Sequence, residues 1–344
     1  METMIFALIG VAVSIAVGVK ILPPLFYLSK FSYSNAKFSA IPITFLKEKE
    51  IVRLLEAKSL EELKNNIVSR DFILKGENAR EIQHSIDESL FKIIKMARND
   101  SPKNVALFYT AYMKKIDSYA VKEAILALKE EREIENKAML EENREMIERI
   151  KANKENAQNI MAEYGWEINL EKSIEEIERD VEKRAIEFLH DEKIPKSYKK
   201  SIDRFVKSLV DILNLKTILR GKYYNLPIYL YGEGWELPAW KLEELMKVEH
   251  VNEIVSMVED TSYFNGLKNA VADFEKYGVI AFEKALDCQI LKIAREIAND
   301  DPLGIGPGIR FIVEKEFEAR NLKIVVKAVE EKMQDMAKKL VVVE

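Results

Sequence analysis

The stretch Asp211-Ile-Leu-Asn-Leu-Lys-Thr-Ile-Leu219 decides the fold reading, because it sets an acid, an amide and a lysine on an otherwise largely apolar helical run. Leu215 and Leu219 share one stripe at helical spacing, with Asn214 and Lys216 beside it. The same offsets recur twice. Asp117 is followed by Ala120, Val121, Lys122 and Ile125, and Glu318 by Asn321, Leu322, Lys323 and Val326. Residues five apart lie about 140° around a helix, so acid and lysine do not normally pair directly with each other. Asp117, Lys122, Asp211, Asn214, Lys216, Glu318, Asn321 and Lys323 are therefore read as repeat-defining structural positions.

A second pattern alternates with the first. Ser59-Leu-Glu-Glu62 starts a run with Leu60, Leu63 and Ile67 on one stripe, and its Ser-x-x-Glu spacing satisfies free amides at a helix start. The spacing returns at Ser173-Ile-Glu-Glu176 and at His250-Val-Asn-Glu253, the last without the serine. Capped module then acid–lysine module, three times in order, predicts three related helical units. Their expected limits are 30–135, 136–229 and 230–344. The charged region from Lys129 to Glu163 reads as a long solvated helix or hairpin. Asn225 to Pro238 reads as a connector, and Asp300 to Gly308 as a break before the last long helix.

Composition agrees with an all-α chain. Among 344 residues, 32% are charged and 48% apolar, with only 12 Gly and 9 Pro. No sustained period-two alternation marks strands. A net charge of −5 gives no general attraction for nucleic acid. The single cysteine, Cys288, cannot form an internal disulfide and fits a reducing compartment.

Residues Met4 to Val19 carry no charge, and the apolar stretch resumes from Ile21 to Leu28 after Lys20. Spanning a hydrocarbon core of roughly 30 Å requires the run through Leu28. Gly10, Ser14 and Gly18 recur every fourth residue and form a small-residue stripe suited to close helix packing. Residues 1–29 are thus expected to be an uncleaved transmembrane anchor. Lys20, Lys30 and Lys37 on its C-terminal side put the remainder in the cytoplasm. A secretory signal is the competing reading, but the start lacks a positive n-region.

No catalytic constellation emerges. Gly304, Gly306 and Gly308 follow no strand, and Gly221-Lys222 lacks the rest of a phosphate loop. Glu81-x-x-His84 and Glu187-x-x-His190 are the sharper rival, since paired Glu-x-x-His helices build di-metal oxidase centres. Arg220, Lys222, Tyr223 and Tyr224 form only a local basic and aromatic cluster. A membrane-tethered helical scaffold is the remaining alternative.

The assembled landmarks resemble a known family, the central-stalk C subunits of archaeal and vacuolar-type ATP synthases. Tyr33-Ser-Asn-Ala-Lys37 is similar to its first motif, with lysine for the usual arginine, and Asp211 to Lys222 to its middle signature. Leu230-Tyr-Gly-Glu-Gly-Trp-Glu-Leu237 through Thr261-Ser-Tyr263 resembles the opening of its third unit. Asp301-Pro-Leu-Gly-Ile-Gly306 and Lys315-Glu-Phe-Glu-Ala-Arg-Asn-Leu-Lys323 resemble its C-terminal block. Ala120 departs from the pattern, where the repeat has Asn. The resemblance implies three similar helical bundles in a pseudo-threefold funnel, with no active site and no cofactor. It further implies a seat on the cytoplasmic face of the membrane, between the proteolipid ring and the central-stalk subunits, passing torque from one to the other.

Overall fold

The computed structural model describes residues 30–190 and 196–343, and every regular element within them is a helix. The expected anchor, with Gly10, Ser14 and Gly18, lies outside the described residues. Among those described, no helix is long and apolar enough to cross a membrane.

Helix α1 covers residues 30–40. Two short helices follow, α2 (Glu48–Leu55) and α3 (Leu60–Asn66), and then the long α4 (Ala79–Asp100). The long α5 (Ala106–Lys129) leads into a second short pair, α6 (Glu141–Ala152) and α7 (Ala157–Glu163), and back through α8 (Ile174–Glu187). The next round is α9 (Lys196–Tyr224), the short pair α10 (Ala239–Lys247) and α11 (Val251–Met257), then α12 (Phe264–Tyr277) and α13 (Ile280–Asp300). Helices α14 (Gly306–Glu331) and α15 (Gln334–Leu340) complete the order. The long helices pair α5 with α8, α9 with α13, and α14 with α4, so the last acid-bearing helix returns to the first round.

Local chemistry sets the helix starts. The Ser59 hydroxyl accepts from the Glu62 amide at 3.2 Å. Ser173 forms a full capping box with Glu176, whereas His250 makes no side-chain cap. The three capped starts are not equivalent in space. Ser59 and His250 precede the short α3 and α11, but Ser173 opens α8, the long return helix. A capping signature records that a helix begins, not which helix of a unit it is.

The expected helix or hairpin over Lys129–Glu163 is instead an extended stretch followed by two short helices. The cause is local: Glu131 takes φ 54°, and the Arg132 amide closes back on the Ala127 carbonyl at 2.8 Å. The other two acid-bearing helices stop the same way. Asn225 (φ 55°) follows α9 and Lys332 (φ 57°) follows α14, with Leu226 closing on Gly221 and Met333 on Ala328. In all three helices the left-handed residue stands fourteen positions beyond the acid.

Two separate apolar cores result. The larger joins α1 to α4, the first half of α5, the C-terminal end of α8 through Ile186 and Leu189, and α9 to α15. The smaller holds the second half of α5 with α6, α7 and α8, around Val121, Met146, Trp166 and Val181.

Candidate functional site

The three acids are buried and do one job. The Asp211 carboxylate accepts from the amides of Trp235 (2.8 Å), Glu236 (2.7 Å) and Leu237 (3.2 Å) and from the Tyr263 hydroxyl (2.9 Å). That loop enters α10. A Cβ at Gly234 would lie 1.7 Å from Asp211 Oδ1, so only glycine lets the backbone come this close. Asp117 accepts from the amides of Met139 (2.8 Å) and Leu140 (3.2 Å), where the chain enters α6, and from Asn143 Nδ2 (2.8 Å). Asn143 in turn accepts from the Trp166 indole at 3.0 Å. Glu318 accepts from Thr44 (2.5 Å) and Phe45 (2.6 Å), just before α2. Each long helix thus clamps the loop that opens a short pair. Burial raises all three carboxyls above their ordinary values, opposed by the donors they accept from.

The amide and lysine positions add two further ties. Asn214 donates to the Gly232 carbonyl and accepts from the Tyr231 amide, both at 2.8 Å. Asn321 donates to the carbonyls of Phe45 (2.8 Å) and Val342 (2.7 Å) and accepts from the Val342 amide (2.9 Å). Ala120 has no side chain for such a bond. The lysines reach the partner long helix in every case: Lys323 to Asp87 on α4 (2.7 Å), Lys122 to Glu178 on α8 (3.5 Å), and Lys216 to Asp287 on α13. Asp287 also takes Arg320 of α14 at 2.6 Å.

Helix α14 is fixed to the first round by more than apolar contact. Lys315, 1% exposed, donates to Asp71 (2.6 Å), Glu318 (2.8 Å) and the Pro42 carbonyl (2.9 Å). Phe311 stacks on Phe38 with centroids 4.8 Å apart. Asn35 donates to the carbonyls of Pro302 and Gly304, and Lys37 pairs with Asp100 at 2.7 Å. The Tyr33–Lys37 motif therefore holds α1 against the turn before α14 and the end of α4.

An open cleft of about 890 Å³ lies between α4, α5 and α14, lined by Asp87, Lys115, Tyr119, Glu316, Arg320 and Lys323 among others. Lys115 pairs with Glu316 at 2.7 Å, and the Tyr112 hydroxyl donates to the same carboxylate. His84 stands at the rim, 3.6 Å from Glu88. The Glu-x-x-His acids are occupied elsewhere: Glu81 accepts from the Glu77 amide and Asn78, and Glu187 pairs with Arg184. Among the described residues no three His, Cys, Asp or Glu side chains converge as a metal site. The di-metal alternative is not favoured.

Sequence reading missed Lys315, Asp71, Asn143 and Asp287. An acid inside the apolar run Ala285 to Leu291 was the available signal for Asp287, which is 3% exposed.

The family model described as ATP synthase (C/AC39) subunit matches residues 34–339. The C subunit of the A-type ATP synthase from Methanothermobacter thermautotrophicus is 28% identical, with 94% of this chain and 89% of the relative aligned. The protein of the same name from Methanosphaera stadtmanae is 25% identical over 89% of this chain and 85% of its own length. That of Methanobrevibacter smithii reaches 41% identity across 130 residues, 36% of this chain and 34% of the relative. The chain therefore belongs to the ATP synthase (C/AC39) subunit family, whose place in the synthase is non-catalytic.

Proposed function

We propose that the chain is a mechanical joint, coupling the membrane proteolipid ring to the rotating central stalk and carrying torque in ion-driven ATP synthesis or ATP-driven pumping. One observation carries this reading. Asp117, Asp211 and Glu318 are each committed to clamping a short helix pair onto a long helix. Buried ties of this kind resist shear between helices. The three units, 30–135, 136–229 and 230–344, would then interlock, because each ends in an acid-bearing helix that clamps the opening loop of another. Closure of the set supports load transfer around it.

Affinity purification from solubilised membranes tests the reading. Proteolipid and stalk subunits are expected to co-purify, and recovery of neither would sink it. The leader, residues 1–29, is proposed to fasten the joint on the cytoplasmic side of the membrane by packing its Gly10, Ser14 and Gly18 stripe against ring helices. Gly10→Leu with Gly18→Leu should loosen ring association, and unchanged co-purification would remove the packing claim.

A further inference from the structure

The three short helix pairs provide internal controls for one another, and the third stands apart. Windows taken from six residues before each pair to three after it are 42–69, 135–166 and 233–260. Their net charges are 0, −2 and −6, the last from eight acids against Lys241 and Lys247. Lys241 is buried and pairs with Asp260, so those two charges cancel and the net −6 rests on the other acids. Glu243, Glu244, Glu249, Glu253 and Glu259 are exposed and enter no ion pair among the described residues. The third window also shows water two tryptophans, Trp235 at 45% and Trp240 at 60% exposure. In the other two windows Phe45 and Trp166 are buried, and Tyr164 is half-buried with Arg149 over its ring, so no tryptophan is exposed there.

We propose that the α10–α11 face docks a basic protein segment that sets an apolar side chain beside lysine or arginine. Exposed tryptophan is the residue type most enriched at binding hot spots, and its face attracts a cation. Trp240 borders a shallow depression with Glu244, Met257 and Glu259, which puts aromatic, apolar and anionic contacts within one footprint. The charge excludes the other occupants. Nucleic acid and an anionic lipid surface are repelled, and so is the same face of a second copy. A single divalent cation is not served, because among the described residues no three acids converge on one point. A polycation spread over the face remains. This surface takes no part in the coupling role proposed above, so the two readings stand or fall separately.

Tryptophan fluorescence of the full chain provides the test. Trp166 is fully buried and serves as an internal reference, so acrylamide quenching reports on Trp235 and Trp240. The probes are an amphipathic Leu/Lys helical peptide and a Leu/Glu peptide with the same apolar stripe. The Leu/Lys peptide should protect the exposed tryptophans from quenching and lose about tenfold in affinity at high salt. Glu243→Gln with Glu244→Gln and Glu259→Gln should weaken it about tenfold as well. The charge-matched set on α6, Glu141→Gln with Glu142→Gln and Glu145→Gln, should leave affinity unchanged. Trp240→Phe should keep binding and Trp240→Ala should reduce it. Equal protection by the Leu/Glu peptide, equal weakening by both sets of substitutions, or no protection at all would overturn the proposal. All substituted residues are exposed, so unchanged circular dichroism melts establish that the variants remain folded.

Discussion

The region around α9, α13, α14 and α4 and the region around α5 to α8 follow one plan yet are closed differently. In the first, α14 is buried on nearly all sides and packs on both α13 and α4, so two rounds of helices share one apolar mass. In the second, α5 leaves that mass after Met113 and turns to a core of its own. Ile186 and Leu189 at the end of α8 still join the larger core, and polar contacts cross the seam beside them: Lys115 with Glu316, Arg80 with Glu135, and Tyr231 with Glu182. Apolar burial stabilises by roughly 25 cal/mol per Å², whereas an exposed pair such as Arg80–Glu135 contributes about 0–1 kcal/mol. The middle round is therefore the more weakly attached part of the fold, and the fused rounds are the more strongly attached part.

The strongest way to break this comparison is to cut an anchor in each region. Asp211→Ala strands three amides and the Tyr263 hydroxyl and should cost about 3–4 kcal/mol of global stability. Asp117→Ala should cost a similar amount but release α6 to α8 first. Hydrogen exchange followed by mass spectrometry distinguishes them, and uniform loss of protection in Asp117→Ala would show that the two cores are one cooperative unit. Next come the amides. Asn321→Ala leaves the buried backbone groups of Phe45 and Val342 unpaired and should cost about 2–3 kcal/mol in denaturant melts, whereas Asn214→Ala frees the half-buried Tyr231 amide and the exposed Gly232 carbonyl and should cost about 1 kcal/mol. Ala120 has no such bond to lose, so Ala120→Gly should cost only about 1 kcal/mol, the ordinary helix-interior penalty.

The seam itself titrates. Burial pulls Glu316 upward, but Lys115 and Tyr112 outweigh it and hold the carboxyl below its ordinary value. A depressed folded pKa means that the unfolded chain binds the proton first. The seam's contribution is thus complete above the unfolded value, about 4.3, and is lost as pH falls towards the folded one. Lys115→Met should cost about 2 kcal/mol at neutral pH and progressively less on acidification. The smallest effect concerns the left-handed stops. Glu131→Gly and Lys332→Gly should each stabilise by about 1 kcal/mol, and Asn225→Gly by less, because asparagine tolerates that conformation.

Legibility followed distance along the chain. The acid-bearing helices could be read because a polar residue on an apolar stripe has few explanations. That acid and lysine would not pair with each other followed from helical rotation alone. Which partners they took could not be read: Asp87, Glu178 and Asp287 are dozens of residues or more away in sequence and look like any other helix acids. The left-handed stops were hidden as well, since Glu131 and Lys332 carry no glycine signal. Capping marked Ser59 and Ser173 as helix starts but not that they open different kinds of helix.

By itself the sequence determined that this protein is helical, that its acid–lysine pattern occurs three times, and where several helices begin, because periodicity and capping act over a few residues. Only tertiary structure decided that α14 returns to α4, that Asp287 serves both Lys216 and Arg320, and that one round keeps a separate core. These depend on which surfaces meet across hundreds of residues, and burial is settled by that meeting rather than by local propensity.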